Sequence, residues 1–381
     1  MKSNTKAKLI LRAAKAVIFA LSFTVFISSL AFETAGRFSG GELSATLFTA
    51  FYGTSLNTAL FSDTSASDTG SSVKIAYGSS EPEENTSSDA SPSVNADIDE
   101  TIADDSSVNS SAERYSIIKS DLSTSAEYGL EASNQTSYDI DLSEYLSAEI
   151  AAPTLDEIEA EYMLDDYVPI VLIVHTHGTE AYSPEDTDTY STDNDFRSSD
   201  ISENVVAVGA EMADYLNACG ITTIHCTEMF DLESYMDAYS RSAAAISEYC
   251  AIYPSISYVF DVHRDCIITD ELECVSSSAD VNGVAAAQFM CVVGTDEYAG
   301  THTGWRDNLT LACHLQYELW SASPTITRRL SIRTASYNQK YTQGSLFFEI
   351  GTCGNTLNEA KSCALIVAKA LAKIIKGEGD A

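Results

Sequence analysis

From Tyr167 onward, short apolar runs alternate with stretches in which apolar residues recur every three or four positions. VPIVLIV (168–174) is continuous and β-branched, the pattern of a strand buried on both faces. ITTIHCT (221–227), ISYVFDV (256–262), AAAQFMCVVG (285–294) and SLFFEI (345–350) also predict strands. ENVVAVGAEMADYLNACG (203–220) sets Val205, Val208, Met212, Leu216 and Cys219 at helical spacing, with Gly220 placed to end the helix. Helices are predicted at 239–253 and 308–320. A further one opens at a Thr356/Glu359 capping box, with Leu357, Ala360, Ala364, Val367 and Leu371 on one face. Strands alternating with helices predict an α/β domain over 166–381, a mostly parallel sheet flanked by helices. Such sheets place their sites at the carboxyl ends of the strands.

The first part of the chain reads differently. Lys2, Lys6, Lys8, Arg12 and Lys15 carry all the charge of the first 15 residues, and AVIFALSFTVFISSLAF (16–32) carries none. With Leu9–Ala14 added, the run is long enough to span a bilayer if Arg12 and Lys15 snorkel. The basic flank stays in the cytoplasm, so the rest of the chain is expected outside it. Residues 1–35 are read as an N-terminal membrane anchor, giving a single-pass protein of the cell membrane. A signal peptide cut after Ser29-Leu30-Ala31 is the other reading.

Residues 36–165 are expected to form an acidic, Ser/Thr-rich, largely disordered spacer. Runs such as GSSEPEENTSSDASPS (78–93) have no apolar period and cannot offset their ordering entropy. TLDEIEAEYML (154–164) is the exception, a short helix leading into the folded domain. Charge follows the same division. The net is +4 over residues 1–60, −22 over 61–166 and −17 over 167–381, for −35 in all. That acidity argues against a nucleic-acid partner, whose phosphates would be repelled. A hydrophobic content of 45% excludes wholesale disorder.

Polar residues interrupt the apolar pattern where strands end. His175-Thr176-His177-Gly178-Thr179-Glu180 follows VPIVLIV directly, and imidazole with carboxylate is a zinc ligand set. Asp261-Val262-His263-Arg264-Asp265 ends the strand at 256–262. Alternation puts Asp261 and His263 on one side, so His263 is a candidate ligand with Asp261 or Asp265 orienting its other nitrogen. Arg264 is then placed to clamp a substrate carboxylate. Glu349 sits between Phe348 and Ile350, where a carboxylate is costly unless paired or functional. Desolvation there raises its pKa into the range of a general base, and a structural ion pair is the plainer alternative. No G-x-S-x-G elbow, H-E-x-x-H helix or Gly-rich phosphate loop occurs. The nine cysteines form no C-x-x-C pair, and most read as reduced thiols.

The strings VLIVHTHGTEAYSP (171–184), NVVAVGAEM (204–212), SRS (240–242), DVHRD (261–265), YNQ (337–339) and LFFEIGTCGNTLNEA (346–360) occur in the order and approximate spacing of one family. Over about residues 166–376 the chain resembles the stage II sporulation protein P family, and the anchor and spacer match its layout. The resemblance implies a zinc-dependent cell-wall hydrolase related to N-acetylmuramoyl-L-alanine amidases. Such a protein cuts stem peptides from glycan strands and also cleaves peptide cross-links. It would act on septal peptidoglycan during engulfment, with the glycan-cleaving stage II sporulation protein D as partner. Carried over by position, His175 and His263 fall on the family's histidines, Glu349 on its essential glutamate and Glu180 on the glutamate of the first motif. Gly178 and Ala181 depart from that motif, where a hydroxyl residue is expected. The expected site is therefore Zn2+ on His175, Glu180 and His263, with His177 the alternative third ligand. Glu349 is the base, and Arg264 or Arg241 holds a stem-peptide carboxylate. Two other readings compete: a different exported zinc peptidase or carboxypeptidase, and a peptidoglycan-binding scaffold without catalysis.

Overall fold

The computed structural model describes residues 114–162, 168–191 and 196–378. Its strands are β1 (Arg114–Ser120), β2 (Ala132–Asn134), β3 (Val171–Val174), β4 (Thr189–Ser191), β5 (Thr223–His225), β6 (Tyr258–Asp265), β7 (Glu273–Val281), β8 (Val284–Ala287), β9 (Phe289–Gly294), β10 (Leu330–Arg333) and β11 (Gly344–Thr352). The α-helices are α1 (Leu142–Leu146), α2 (Leu155–Tyr162), α3 (Val205–Ala218), α4 (Ala238–Ile252), α5 (Trp305–Ala322) and α6 (Leu357–Ile375). The apolar runs become the middle of a seven-stranded sheet of order β2-β10-β9-β11-β6-β3-β5. Val171, Ile173, Phe260, Val262 and Phe348 pack on one side with residues of α3, α5 and α6. Leu172, Val174 and Val259 pack on the other with Ala238 and Ile246 of α4. Both faces are covered, as continuous apolar runs require.

The sheet is mixed, which corrects the expectation of a mostly parallel one. β5, β3, β6 and β11 run together, β9 is antiparallel to β11, and β10 and β2 follow β9. Four strands thus point one way and three the other. After β6 the chain makes no helical crossover. It turns through the β7–β8 hairpin and comes back along β9. Apolar runs report that both faces are buried, and they do not encode strand direction.

The domain boundary expected at 166 falls inside the fold. β1 pairs in parallel with β7 over Ser116–Ser120 and antiparallel with β4, making a second sheet of order β4-β1-β7-β8. β2 adds to the seven-stranded sheet beside β10. The short helix expected at 154–164 is α2, which buries Ile158. Residues 114–162 are therefore part of the domain rather than spacer. The rest of the expected spacer and the anchor at 1–35 lie outside the described residues. Among the described residues no helix is long and apolar enough to cross a membrane.

A polar hub joins the two sheets to α6. Asn355 Nδ2 donates to Glu359 Oε2 (2.9 Å) and to the Ser277 carbonyl of β7 (3.0 Å). Its Oδ1 accepts from the Thr352 backbone (2.9 Å). The predicted capping box is present, with Thr356 accepting from the Glu359 N–H and Glu359 reaching back to the Thr356 N–H.

A chain beginning at residue 160 removes β1, β2 and α1 and exposes β7 and β10 edges. It should be insoluble, or unfold at lower temperature and less cooperatively than one beginning at residue 110. Thermal melts of the two side by side decide this. Equal melting would show that residues 114–159 add nothing to the fold.

Candidate metal centre

The site forms where β3 and β6 end side by side. On β3, Ile173 faces α3 while Leu172 and Val174 face α4. His175 keeps the phase of Ile173 and turns away from the cavity. Its Nδ1 bonds the Val262 carbonyl (2.9 Å) and its Nε2 meets His225 Nε2 at 2.9 Å. It lies against α3 at Gly209, where an added Cβ would come within 2.5 Å of the ring. Burial lowers its pKa to about 4 and that of His225 to about 3, so both rings are neutral near pH 7. Strand alternation thus separates His175 from the other expected ligands, and the structure does not bring it to them.

His177, Glu180 and His263 are the residues that meet. Among the described residues they form the one group of three His, Cys, Asp or Glu whose ligand atoms lie within 4.8 Å of one another, and all three are buried. Glu180 Oε2 is 3.2 Å from His263 Nδ1, and Oε1 is 3.5 Å from His177 Nδ1. With metal–ligand bonds of 2.0–2.1 Å, the edge of a tetrahedral zinc site is about 3.3 Å, so the spacing fits such an ion. The charges fit as well. Burial alone would lower the His263 pKa. The carboxylates of Asp261 and Glu180 outweigh it and hold the pKa well above the usual imidazole value. Burial likewise opposes ionisation of Glu180, yet His263 and its other partners hold that carboxyl well below the usual range. Two buried carboxylates here require a cation, and a proton on His263 fills the position that a metal ion would take.

Each donor is fixed by its surroundings. Asp261 Oδ1 lies 2.9 Å from His263 Nε2, so of the two aspartates considered for this ring it is Asp261 that pairs with it. Asp261 in turn accepts from the Thr176 N–H (2.8 Å) and hydroxyl (2.6 Å). His263 stacks on Phe347 at 4.2 Å between ring centroids, and His177 on Tyr235 at 4.4 Å. The turn through Gly178 presses on Met229, where a Cβ would come within 2.6 Å of the side chain and 2.9 Å of the backbone, so only glycine fits. Asp231 anchors the turn by accepting from the Thr179 N–H (3.2 Å) and hydroxyl (2.5 Å), and it pairs with Arg197 at 2.5 Å.

Glu349 on β11 stands in register with His263 on β6, so both side chains leave the same face of the sheet. It lines the same cavity, of about 890 Å³, as His177, Glu180 and His263. Its Oε2 is buried without a hydrogen-bond partner. Burial, with the nearby charges of Asp265 and Glu180, pushes its pKa up to about 8. The two arginines expected to bind substrate are engaged elsewhere. Arg264 Nε donates to the Ala181 carbonyl (2.9 Å) and Nη2 to that of Phe196 (2.5 Å). Arg241 donates to the carbonyls of Phe230 (2.7 Å) and Ser234 (2.5 Å). They hold the loops around the site, and Arg241 lies outside the cavity lining.

Ligand assignments separate on metal content. His177→Ala should lose most of the bound zinc while keeping the fold, and His263→Ala should lose the zinc and also melt at lower temperature, because two buried carboxylates are left without a cation. His175→Ala should keep the zinc and melt at lower temperature, because it empties a buried position under α3. Zinc analysis of the dialysed proteins, with melts, reads both. Loss of metal in His175→Ala without loss of stability would reverse the assignment. A second test uses Glu349. A carboxyl whose pKa is raised on folding adds stability that is complete below about pH 4.5 and lost as pH rises through about 8. In metal-free protein, Glu349→Gln should therefore gain stability over the parent as pH is raised from about 5 to about 9. A gap that does not change with pH refutes the shift.

The sequence has known counterparts. The stage II sporulation protein P of Bacillus subtilis (strain 168) is 25% identical over 209 residues, which cover 51% of this chain and 48% of that protein. The chain thus spans about half the length of that curated relative. The catalytic domain of CwlV, an N-acetylmuramoyl-L-alanine amidase from Bacillus (Paenibacillus) polymyxa var. colistinus, superposes with a TM-score of 0.33 at 10% identity, over 55% of this chain and 97% of that one. An N-acetylmuramoyl-L-alanine amidase from Clostridium difficile 630 superposes with a TM-score of 0.32 at 12% identity, over 56% of this chain and all of that one. At these scores the superpositions carry no functional weight. The family pattern of stage II sporulation protein P, in contrast, matches residues 59–372, most of the chain, and the protein belongs to that family.

Proposed function

We propose that this protein is a metal-dependent peptidoglycan hydrolase, a zinc-dependent N-acetylmuramoyl-L-alanine amidase with peptide cross-links as a second target. The observation that supports this most is Glu349, an unpartnered carboxyl with its pKa pushed up to about 8, sharing a cavity with a zinc-sized set of donors. Zinc held by His177, Glu180 and His263 would supply Lewis acidity toward a scissile carbonyl and toward water.

The rest of the chemistry belongs to the chain. Glu349 accepts the proton of the attacking water and returns it to the leaving amine, so one carboxyl serves as base and then acid. With a cation bound its pKa would fall from about 8, leaving the carboxyl ionised to accept the water proton near neutral pH. Glu180 is held ionised and cannot exchange roles with Glu349. Asp261 keeps the His263 ring in place, and Tyr235 and Phe347 keep the two imidazoles from rotating. The scissile bond is the amide between the lactyl group of muramic acid and L-alanine.

Location and partnership belong to the same reading. Residues 9–32 retain the protein in the cell membrane with the folded unit outside the cytoplasm. There it acts on septal peptidoglycan with the glycan-cleaving stage II sporulation protein D. The basic flank, the apolar run and the family layout support this.

Glu349→Gln is the test of mechanism. The amide is nearly isosteric and cannot take a proton, so release of stem peptides from sacculi should fall by about 10²–10⁴-fold. Zinc should stay near one equivalent. An active variant removes Glu349 as the base, and an inactive, metal-free one makes it a ligand. Free stem peptides in the digest are the expected product, and shortened stems would instead mean a carboxypeptidase. Retention is tested by fractionation with intact-mass analysis, where a mature protein beginning at Phe32 would replace the anchor by a cleaved signal.

A further inference from the structure

The basic side of the cavity has no part in the chemistry so far. Five arginines and three carboxylates line it, in a chain whose net charge is −35. Arg328, Arg329 and Arg333 all come from β10 or the two residues before it. Arg329 pairs with Glu131 at 2.9 Å and its side chain is 62% exposed, so it sits at the rim. Arg333 Nε donates to Ser331 Oγ (2.8 Å).

Arg328 is placed differently. The residue is 9% exposed. Its Nη2 donates to Asp265 Oδ2 (2.7 Å), while its Nη1 is buried with no hydrogen-bond partner. The backbone on which it sits is pinned on both sides. Its N–H donates to the Phe289 carbonyl (2.8 Å), and its own carbonyl accepts from Gln316 Nε2 (2.7 Å). Asp265 is fixed as well, since Oδ1 accepts from the Cys266 N–H (2.8 Å). A buried guanidinium nitrogen without an acceptor destabilises the fold. One held rigid at the wall of a cavity is prepared for an acceptor that arrives with a ligand.

We propose that Arg328 anchors a carboxylate of the substrate, with Nη1 donating to one carboxylate oxygen, and that Arg329 and Arg333 supply the surrounding positive potential. The inference rests on reading the site as a peptidoglycan amide hydrolase, whose stem peptides carry free carboxylates. It moves the role expected of Arg264 and Arg241 to a residue whose donor is still available. A charged acceptor matches better than a neutral carbonyl, because hydrogen bonds between a guanidinium and a carboxylate are the stronger.

The test compares two probes, a soluble stem tripeptide with free carboxylates and the same peptide with its carboxylates amidated. Calorimetry with the zinc-loaded protein should show the acid form bound at least about tenfold more tightly, the range of a hydrogen bond to a charged group. Arg328→Ala should abolish that preference and leave binding of the amidated form unchanged. On cleavable substrate it should raise KM with kcat largely retained, as loss of uniform binding does. Arg328→Lys guards against misfolding, because it keeps a cation beside Asp265 and loses the second nitrogen. It should also lose the preference. Equal binding of both probes by the parent, or a preference that survives in either folded variant, overturns the assignment. Cleavage read in parallel keeps the two readings apart. Preference without cleavage leaves Arg328 as the anchor and removes the hydrolase, and cleavage without preference does the reverse.

Discussion

His263 is caught between two buried carboxylates, and the site is arranged around that contact. Asp261 lies on one ring nitrogen at 2.9 Å and Glu180 on the other at 3.2 Å. Removing the imidazole would leave two buried carboxylates without a compensating cation, a loss of several kcal/mol, on the order of 3–5. The contact sets demands on three segments. β6 must present residues 261 and 263 on one face. The loop after β3 must turn tightly enough to return Glu180, which is why Gly178 has no room for a side chain. Residue 264 must secure that loop, and Arg264 does so through the Ala181 and Phe196 carbonyls.

The same electrostatics divide two glutamates that share one cavity. Glu180 faces His263 directly and receives the Arg264 N–H at 3.1 Å, so it stays ionised. Glu349 is buried, has no such donor on Oε2 and feels Asp265 and Glu180 as like charges, so it holds its proton to about pH 8. Carboxyls pushed in opposite directions within one site mark separate roles, one for holding charge and one for moving a proton. A bound cation would bring the Glu349 pKa down, by the same Coulomb term that raises it now.

The candidate site was largely legible in the sequence, because its residues break an apolar pattern. Glu349 in SLFFEI and His263 in ISYVFDVH stand where only a partner or a function explains them, and the structure puts both at the cavity. Strand phase separates His175, expected as a ligand, from His177, expected only as the alternative to Glu180. Counting on from Ile173 places His175 among the core residues facing α3, and this signal was already in the sequence. Direction and extent of the sheets were less legible. β1 is RYSIIKS, half-exposed along its length, and β7 is ECVSSSADV, whose buried Ser276 and Ser277 hydroxyls meet Asn355 while the half-buried Ser278 donates to Glu359. Neither resembles an apolar strand, since backbone pairing and polar satisfaction hold them in place.

The mixed sheet also bears on what the cavity can bind. In an all-parallel sheet the amino end of β10 would lie at the edge opposite to the carboxyl end of β6. The antiparallel pairing of β9 with β11 reverses this, with Glu349 opposite Met290 and Ile350 opposite Phe289. Because β10 runs with β9, the residues that precede it arrive at the level where β6 ends. Arg328 can therefore reach Asp265, two residues beyond the candidate ligand His263. The strand reversal that the hydrophobic pattern did not disclose is thus what sets a row of arginines beside a site otherwise built from acids and imidazoles. Without it, the carboxylates of the cavity would lack the arginines of β10 and of the two residues before it.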